Sequence, residues 1–319
     1  MEVKIVIASI KKSIAVVVIA SMVLMPMATM MTTDSASAVS KGAVNKMAKK
    51  SKNGFKKFKG KWYYIKSKKA VKGLKKISGK YYFFNKIGTM QTGAKKISGK
   101  NYYFKAVKSG KKKGQAPALT NNVLTKSGKT WFYNSKGVRY EFAYKNVGNE
   151  KGNIAVGRVL SEAKVKTEKT KEARLKKAYG YIVNKYSYMS RPTPKNFKTA
   201  AWTYQCAYDM AMGMNRMGKQ PEGKYAGKCY NFAALTGLTA KALGYDTTIV
   251  PGTCQRPDSD KATEHAWAEI SEDEYVFVLD TMWDNNGKRA GKGIYNFFKV
   301  QITKQSDGSF YVGEYFYLP

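Results

Sequence analysis

With 319 residues, a net charge of +37, 43% hydrophobic and 13% aromatic side chains, the chain is long enough for two domains and too apolar for global disorder. The charge is unevenly spread: 28 lysines and Arg139 lie between Lys41 and Tyr140, and Ser35 to Tyr140 contains no acidic residue. Such a segment attracts a polyanion, with binding that weakens as salt rises.

The first element in chain order is an export signal. Lys4, Lys11 and Lys12 precede the apolar run Ile14–Met30, and Ser35-Ala36-Ser37-Ala38 fits cleavage after Ala38. Residues 1–38 therefore read as a signal peptide and 39–53 as a basic linker. Secretion to the cell wall or medium follows, with no membrane attachment once the signal is removed.

Residues 54–145 form a repeat region. "GFKKFKGKWYYI" from Gly54, "GLKKISGKYYFF" from Gly73 and "GAKKISGKNYYF" from Gly93 align without gaps, and a looser copy, "SGKTWFY", ends at Tyr133. A glycine turn followed by a short aromatic strand is too small to bury a face alone, so the copies are expected to stack as a solenoid of β-hairpins. Trp62, Tyr63, Tyr82, Tyr102 and Trp131 are candidate stacking residues for a wall polymer. These units resemble the cell-wall-binding repeats of the choline- and glucan-binding type. Those repeats read Gly-Trp at the step occupied here by Phe55, Leu74 and Ala94. An anionic, teichoic-acid-like polymer or glycan suits the lysines better than a quaternary ammonium.

A polar stretch at 145–153 marks the boundary to a second domain, 150–319. Leu175, Ala178, Tyr179, Ile182, Val183 and Tyr186 are spaced as one face of an amphipathic helix within 170–189. A second helix is expected over 199–218, ending near Gly218. A third, buried, runs from Cys229 to Leu243 and stops at Gly244. Cys229 then sits in a first turn, where unpaired N–H groups and the macrodipole favour a thiolate. Strand "TTIV" follows.

His265, the only histidine, alternates with apolar residues in "HAWAEI", the period of a half-buried strand. With "SEDE" (271–274) as the turn and Ile270 opposite Tyr275, His265 lands across the ladder from Asp280. A carboxylate there fixes the imidazole tautomer and leaves the other nitrogen for a thiol. "GKCYNFA", "HAWAEI" and "VLDTMW", in that order, resemble the transglutaminase-like superfamily over about residues 171–284. The resemblance implies an α+β, papain-like fold with the cysteine helix packed on an antiparallel sheet. It also implies Cys229 as nucleophile, His265 as base and Asp280 as orienting acid, with Trp267 and Trp283 beside the substrate. The activity implied is acyl transfer on a protein or peptide: crosslinking, deamidation or hydrolysis. No cofactor or metal is expected. Trp202, Gln205 and Tyr225 are open candidates for an oxyanion side chain.

The odd count of three cysteines in an exported chain suggests a Cys206–Cys254 disulfide that leaves Cys229 free. Two other readings compete: a non-catalytic wall-binding adhesin that uses the fold as a scaffold, and nucleic-acid binding through the lysine-rich repeats. Export and scarce arginine argue against a physiological nucleic-acid partner.

Overall fold

The computed structural model describes residues 39–189, 193–215, 218–219, 225–255, 259, 261–293, 296–313 and 315–319. The expected signal peptide lies outside them. Residues from Ser40 to Pro319 form one compact unit. The expected basic linker is instead a helix, α1 (Lys41–Lys50). The Ser40 hydroxyl accepts from the Ala43 N–H at its start, and Val44 and Ala48 are buried on its inner face.

Four two-stranded hairpins follow. They are β1 (Gly54–Phe58) with β2 (Lys61–Lys66), β4 (Gly73–Ile77) with β5 (Lys80–Phe84), β6 (Gly93–Ile97) with β7 (Lys100–Phe104), and β8 (Asn122–Lys126) with β9 (Lys129–Tyr133). Short strands β3 (Lys69–Ala70) and β10 (Tyr144–Lys145) extend the first and last. Each turn places two residues at positive φ, such as Ser78 and Gly79, the twist that a two-residue hairpin needs. The segment after each of the last three hairpins docks on the hairpin before: Met90 N–H donates to the Trp62 carbonyl, Ala118 to Tyr81 and Arg139 to Asn101. Ile77, Tyr82, Phe84, Met90, Tyr102 and Phe104 fill the space between.

The pleat corrects part of the wall-binding set. Tyr63, Tyr82 and Tyr102 are 0%, 5% and 7% exposed and belong to the core, so they cannot stack on a ligand. Alternate side chains face opposite sides of a strand. The partly open face therefore carries Trp62 and Tyr64, Tyr81 and Phe83, and Tyr103, while Trp131 is half-buried in the fourth hairpin.

The remainder is a helical layer on an antiparallel sheet. The helices are α2 (Glu150–Glu162), α3 (Lys171–Lys185), α4 (Ala201–Met212) and α5 (Cys229–Leu243). Two small pairs, β11 (Ser187–Tyr188) with β14 (Ala226–Gly227) and β12 (Met214–Asn215) with β13 (Gly218–Lys219), flank them. The sheet comprises β15 (Asp246–Gln255), β16 (Thr263–Glu272), β17 (Tyr275–Leu279), β18 (Phe298–Ile302), β19 (Phe310–Val312) and β20 (Tyr315–Leu318), in the order β18-β17-β16-β15-β20-β19. Helix α6 (Thr281–Arg289) follows β17.

Helix α5 lies on β15 and β16. A Cβ on Gly237 would come within 2.4 Å of Ile249, so the glycine permits the close approach. Ala268 and Ile270 face the helices, whereas Trp267 joins Val250, Cys254, Phe310 and Tyr317 in a second core. The expected half-buried strand is thus buried on both faces. Helix α4 stops at Met212 rather than Gly218 because Gly213 turns left-handed, with the Tyr225 ring against it. Helix α3 stops at Lys185, and the chain leaves it to pair beside Ala226 and Gly227. No separate linker stands at 145–153: Phe132 and Tyr144 of the last hairpin share a core with Ile154, Val156 and Leu160 of α2.

Candidate active site

Cys229 is the first residue of α5, and its position is over-determined by short-range bonds. The Asn231 side-chain oxygen accepts from the Lys228 N–H at 2.9 Å, and its amide nitrogen donates to the Cys206 carbonyl at 3.0 Å. Gly227 has no room for a side chain, since a Cβ would meet Met210 Sδ at 2.5 Å and Asn231 Cβ at 2.6 Å. That is the physical reason for the glycine in "GKC".

His265 and Asp280 meet differently from the expected ladder pair. The β16–β17 turn is only Asp273-Glu274, so Glu272 opposes Tyr275 and Ala268 opposes Leu279. The register is two residues away from the expected one. An even slip keeps every side chain on its face. Asp280 falls just past the paired strand, where it caps α6 by accepting from the Met282 and Trp283 N–H groups, each at 3.1 Å. Its other oxygen lies 2.5 Å from His265 Nε2 and accepts from the Tyr317 hydroxyl at 3.1 Å.

Cys229, His265 and Asp280 are each only 2% exposed. Burial alone would lower the imidazole pKa. The charge and hydrogen bond of Asp280, joined by a hydrogen bond and charge from Cys229, lift it instead to about 9. The imidazole therefore interacts with both the sulfur and the carboxylate, with Nε2 on the acid. In such an arrangement the imidazolium stabilises a thiolate, and the carboxylate stabilises the imidazolium.

The two expected tryptophans part ways. Trp267 is 0% exposed; its indole N–H donates to Glu269 at 2.9 Å, and Glu269 is held in turn by Lys304 at 2.7 Å. It cannot touch a substrate and acts as a floor beneath His265, ring centroids 6.1 Å apart. Trp283 is half-buried and packs on the imidazole at 5.5 Å, forming a wall. Of the three oxyanion candidates, Gln205 donates to Asp209, the Tyr225 hydroxyl accepts from Arg158, and the Trp202 ring packs on Phe197 and on Tyr230, the residue after Cys229.

The expected Cys206–Cys254 disulfide does not form: Cys206 is on α4 and Cys254 in the sheet. Burial and the nearby Asp280 charge push the Cys254 thiol up to about 12, which makes that thiol unreactive in the folded protein.

Sequence reasoning missed Tyr317, whose segment "YFYL" reads only as a strand. It also missed the rim, where Lys228 Nζ is 3.0 Å from the Thr193 hydroxyl and 3.4 Å from the Glu264 carboxylate. Adjacency to Cys229 and His265 was the available signal. Tyr188, 37% exposed, stands at the mouth, paired through its backbone with Gly227. Burial and then the Cys229 charge raise its phenol pKa. Among the described residues, no group of three or more His, Cys, Asp or Glu gathers to hold a metal ion.

Residues 158–280 match the transglutaminase-like superfamily, residues 71–113 the choline-binding repeat and residues 53–68 the cell wall binding repeat. No curated protein matches the chain. Among solved structures, choline binding protein F from Streptococcus pneumoniae, in the presence of a peptidoglycan analogue, is 28% identical over 31% of this chain and 33% of its own, with a TM-score of 0.23. The choline binding domain of Spr1274 from Streptococcus pneumoniae is 20% identical over 29% of this chain and 99% of its own, with a TM-score of 0.23. The pneumococcal cell wall endolysin from phage Cp-1, complexed with choline, is 21% identical over 30% of this chain and 27% of its own, again at 0.23. The chain thus spans about a third of the length of the first of these.

Proposed function

We propose that this chain, a transglutaminase-like domain preceded by choline-binding-type wall-binding repeats, is an exported, wall-retained cysteine enzyme that transfers acyl groups on protein or peptide substrates. The reading rests chiefly on the buried contact of Cys229, His265 and Asp280, with the imidazole held cationic beside the sulfur.

In this reaction the Cys229 thiolate attacks a carboxamide or peptide carbonyl carbon. The negative charge moves to the carbonyl oxygen, for which the free Cys229 N–H at the helix start is a natural donor. The intermediate collapses, the C–N bond breaks, and the His265 imidazolium gives its proton to the departing amine. The resulting thioester is attacked by an amine or by water, which passes a proton back to His265, and the thiolate leaves. Crosslinking, deamidation and hydrolysis differ only in the leaving amine and in the second nucleophile. Asp280 holds the ring throughout and does not itself exchange the proton.

Retention on the wall would fall to the repeats. Lys76 Nζ stands 5.7 Å over the Tyr81 ring, so the protein's own cation lies on an aromatic face that a quaternary ammonium would need. Phe55, at the Gly-Trp step, is spent packing on Tyr64 and Tyr82. An anionic polymer is the ligand this surface favours.

The test uses the protein and its Cys229→Ala variant with a glutamine-bearing protein and a labelled primary amine. Cysteine-dependent label incorporation, ammonia release or new termini is the expected result. Absence of all three, with Cys229 alkylated no faster than an ordinary thiol, would leave a non-catalytic wall-binding protein.

A further inference from the structure

Beside the triad lies a groove of about 770 Å³ that the chemistry above does not use. It runs between α6 and the end of the sheet, walled by Trp283, Phe297 and Tyr315, with Asn286, Arg289 and Lys292 along its length. Trp283 belongs to both sites, since its ring also packs on the His265 imidazole at 5.5 Å. Through that ring the groove adjoins the imidazole that, in the proposed reaction, protonates the departing amine or deprotonates the entering one.

Its charge is one-sided. Asp284 lines it but is 1% exposed, and its two oxygens accept from the Tyr179 hydroxyl at 2.6 Å and the Asn296 N–H at 3.1 Å. By contrast, lysines 171, 299 and 304 elsewhere in the domain are each paired with a glutamate. Among the described residues, Arg289 and Lys292 have no carboxylate partner. Two uncompensated cations at the far end of a groove whose near end is aromatic call for an anionic group on the ligand.

The spacing sets its length. Trp283 and Arg289 are six positions apart on α6, about 9 Å of helical rise. An extended dipeptide spans about 7 Å. Resting on the catalytic reading, we propose that this groove binds the amine-bearing partner of the reaction, and that this partner is a short peptide whose carboxylate, about two residues from the reacting amine, pairs with Arg289 and Lys292. The aromatic walls would take its side chains, and the asparagine amides its backbone.

Glycyl-tyrosine and glycyl-tyrosinamide present the same amine and differ in one charge, so they isolate the carboxylate. Calorimetric titration of the Cys229→Ala protein should give at least tenfold tighter binding of the acid. Arg289→Glu with Lys292→Glu should abolish that preference; the same pair made in the parent should leave the Cys229 alkylation rate unchanged, which verifies the fold. With a glutamine-bearing donor, kcat/KM for transfer should favour the acid by a similar factor, lost in the reversed-charge protein. Equal affinity for the two dipeptides, binding of neither, or a preference that survives charge reversal overturns the inference. An ordinary alkylation rate at Cys229 with no transfer to either probe defeats instead the catalytic reading on which it rests.

Discussion

Asp280 carries four hydrogen bonds on two oxygens: His265 and Tyr317 on one, the Met282 and Trp283 N–H groups on the other. Tyr317 draws charge away from the oxygen that faces the imidazole. Tyr317→Phe keeps the buried ring and removes only the hydroxyl, so the carboxylate should pull harder on the imidazolium. The alkylation rate of Cys229 as a function of pH should then break at a higher pH than in the parent; an unmoved profile would reduce Tyr317 to packing. A second consequence concerns stability. The folded His265 pKa, about 9, is above its ordinary value of 6.5. The ion pair therefore contributes fully below about pH 6.5, and its contribution drains away as pH rises towards 9. The thermal midpoint should fall across that window, and His265→Gln should fall less steeply.

At the scale of elements, the join between β20 and the rest of the sheet decides whether Tyr317 reaches Asp280. A Cβ on Gly252 would stand 2.3 Å from the Leu318 carbonyl oxygen and 2.8 Å from the Trp267 ring. Gly252→Ala should push β20 outward, at a cost of about 1–3 kcal/mol in denaturant unfolding, and slow Cys229 alkylation. Helix α5 was legible residue for residue, because a small and apolar run, broken mainly by Asn231, threonines and Lys241, ends at Gly244, which adopts φ 97°. The β16–β17 register was not. Four polar residues in "SEDE" read as a turn, yet Glu272 is drawn into the strand by Lys171 and Lys299, which arrive from α3 and β18. A distant ion pair leaves no mark in the local pattern. The same limit hid Tyr317, whose partner lies 37 residues upstream. Asp280 still reaches His265 despite the two-residue shift because an even slip preserves faces.

In the molecule as a whole, the last hairpin and the helical layer are continuous. Gly157 of α2 has no space for a Cβ, which would meet the Tyr144 hydroxyl at 2.4 Å and Phe132 at 2.7 Å, and that hydroxyl donates to the Asn153 carbonyl at 2.6 Å. Burial shared across the boundary couples the two parts, so Trp131 fluorescence and alkylation of buried Cys254 should report one thermal transition; two separated midpoints would show independent domains. The repeat lysines should act independently of that coupling. Replacing Lys75, Lys76, Lys95 and Lys96 by Gln should flatten the salt dependence of wall binding without moving the midpoint.

Helix α1 closes one end of the hairpin stack against β3, and the fourth hairpin is welded to the helical layer at the other. The units in between pack mainly on adjoining ones, although the Trp62 indole N–H reaches the Lys113 carbonyl at 3.0 Å, so duplication or loss of one would expose no new end and leave the surroundings of Cys229 unchanged. Tether length is therefore a dimension that descendants of this gene can lengthen or shorten in steps of about twenty residues while the helical layer at its tip stays the same.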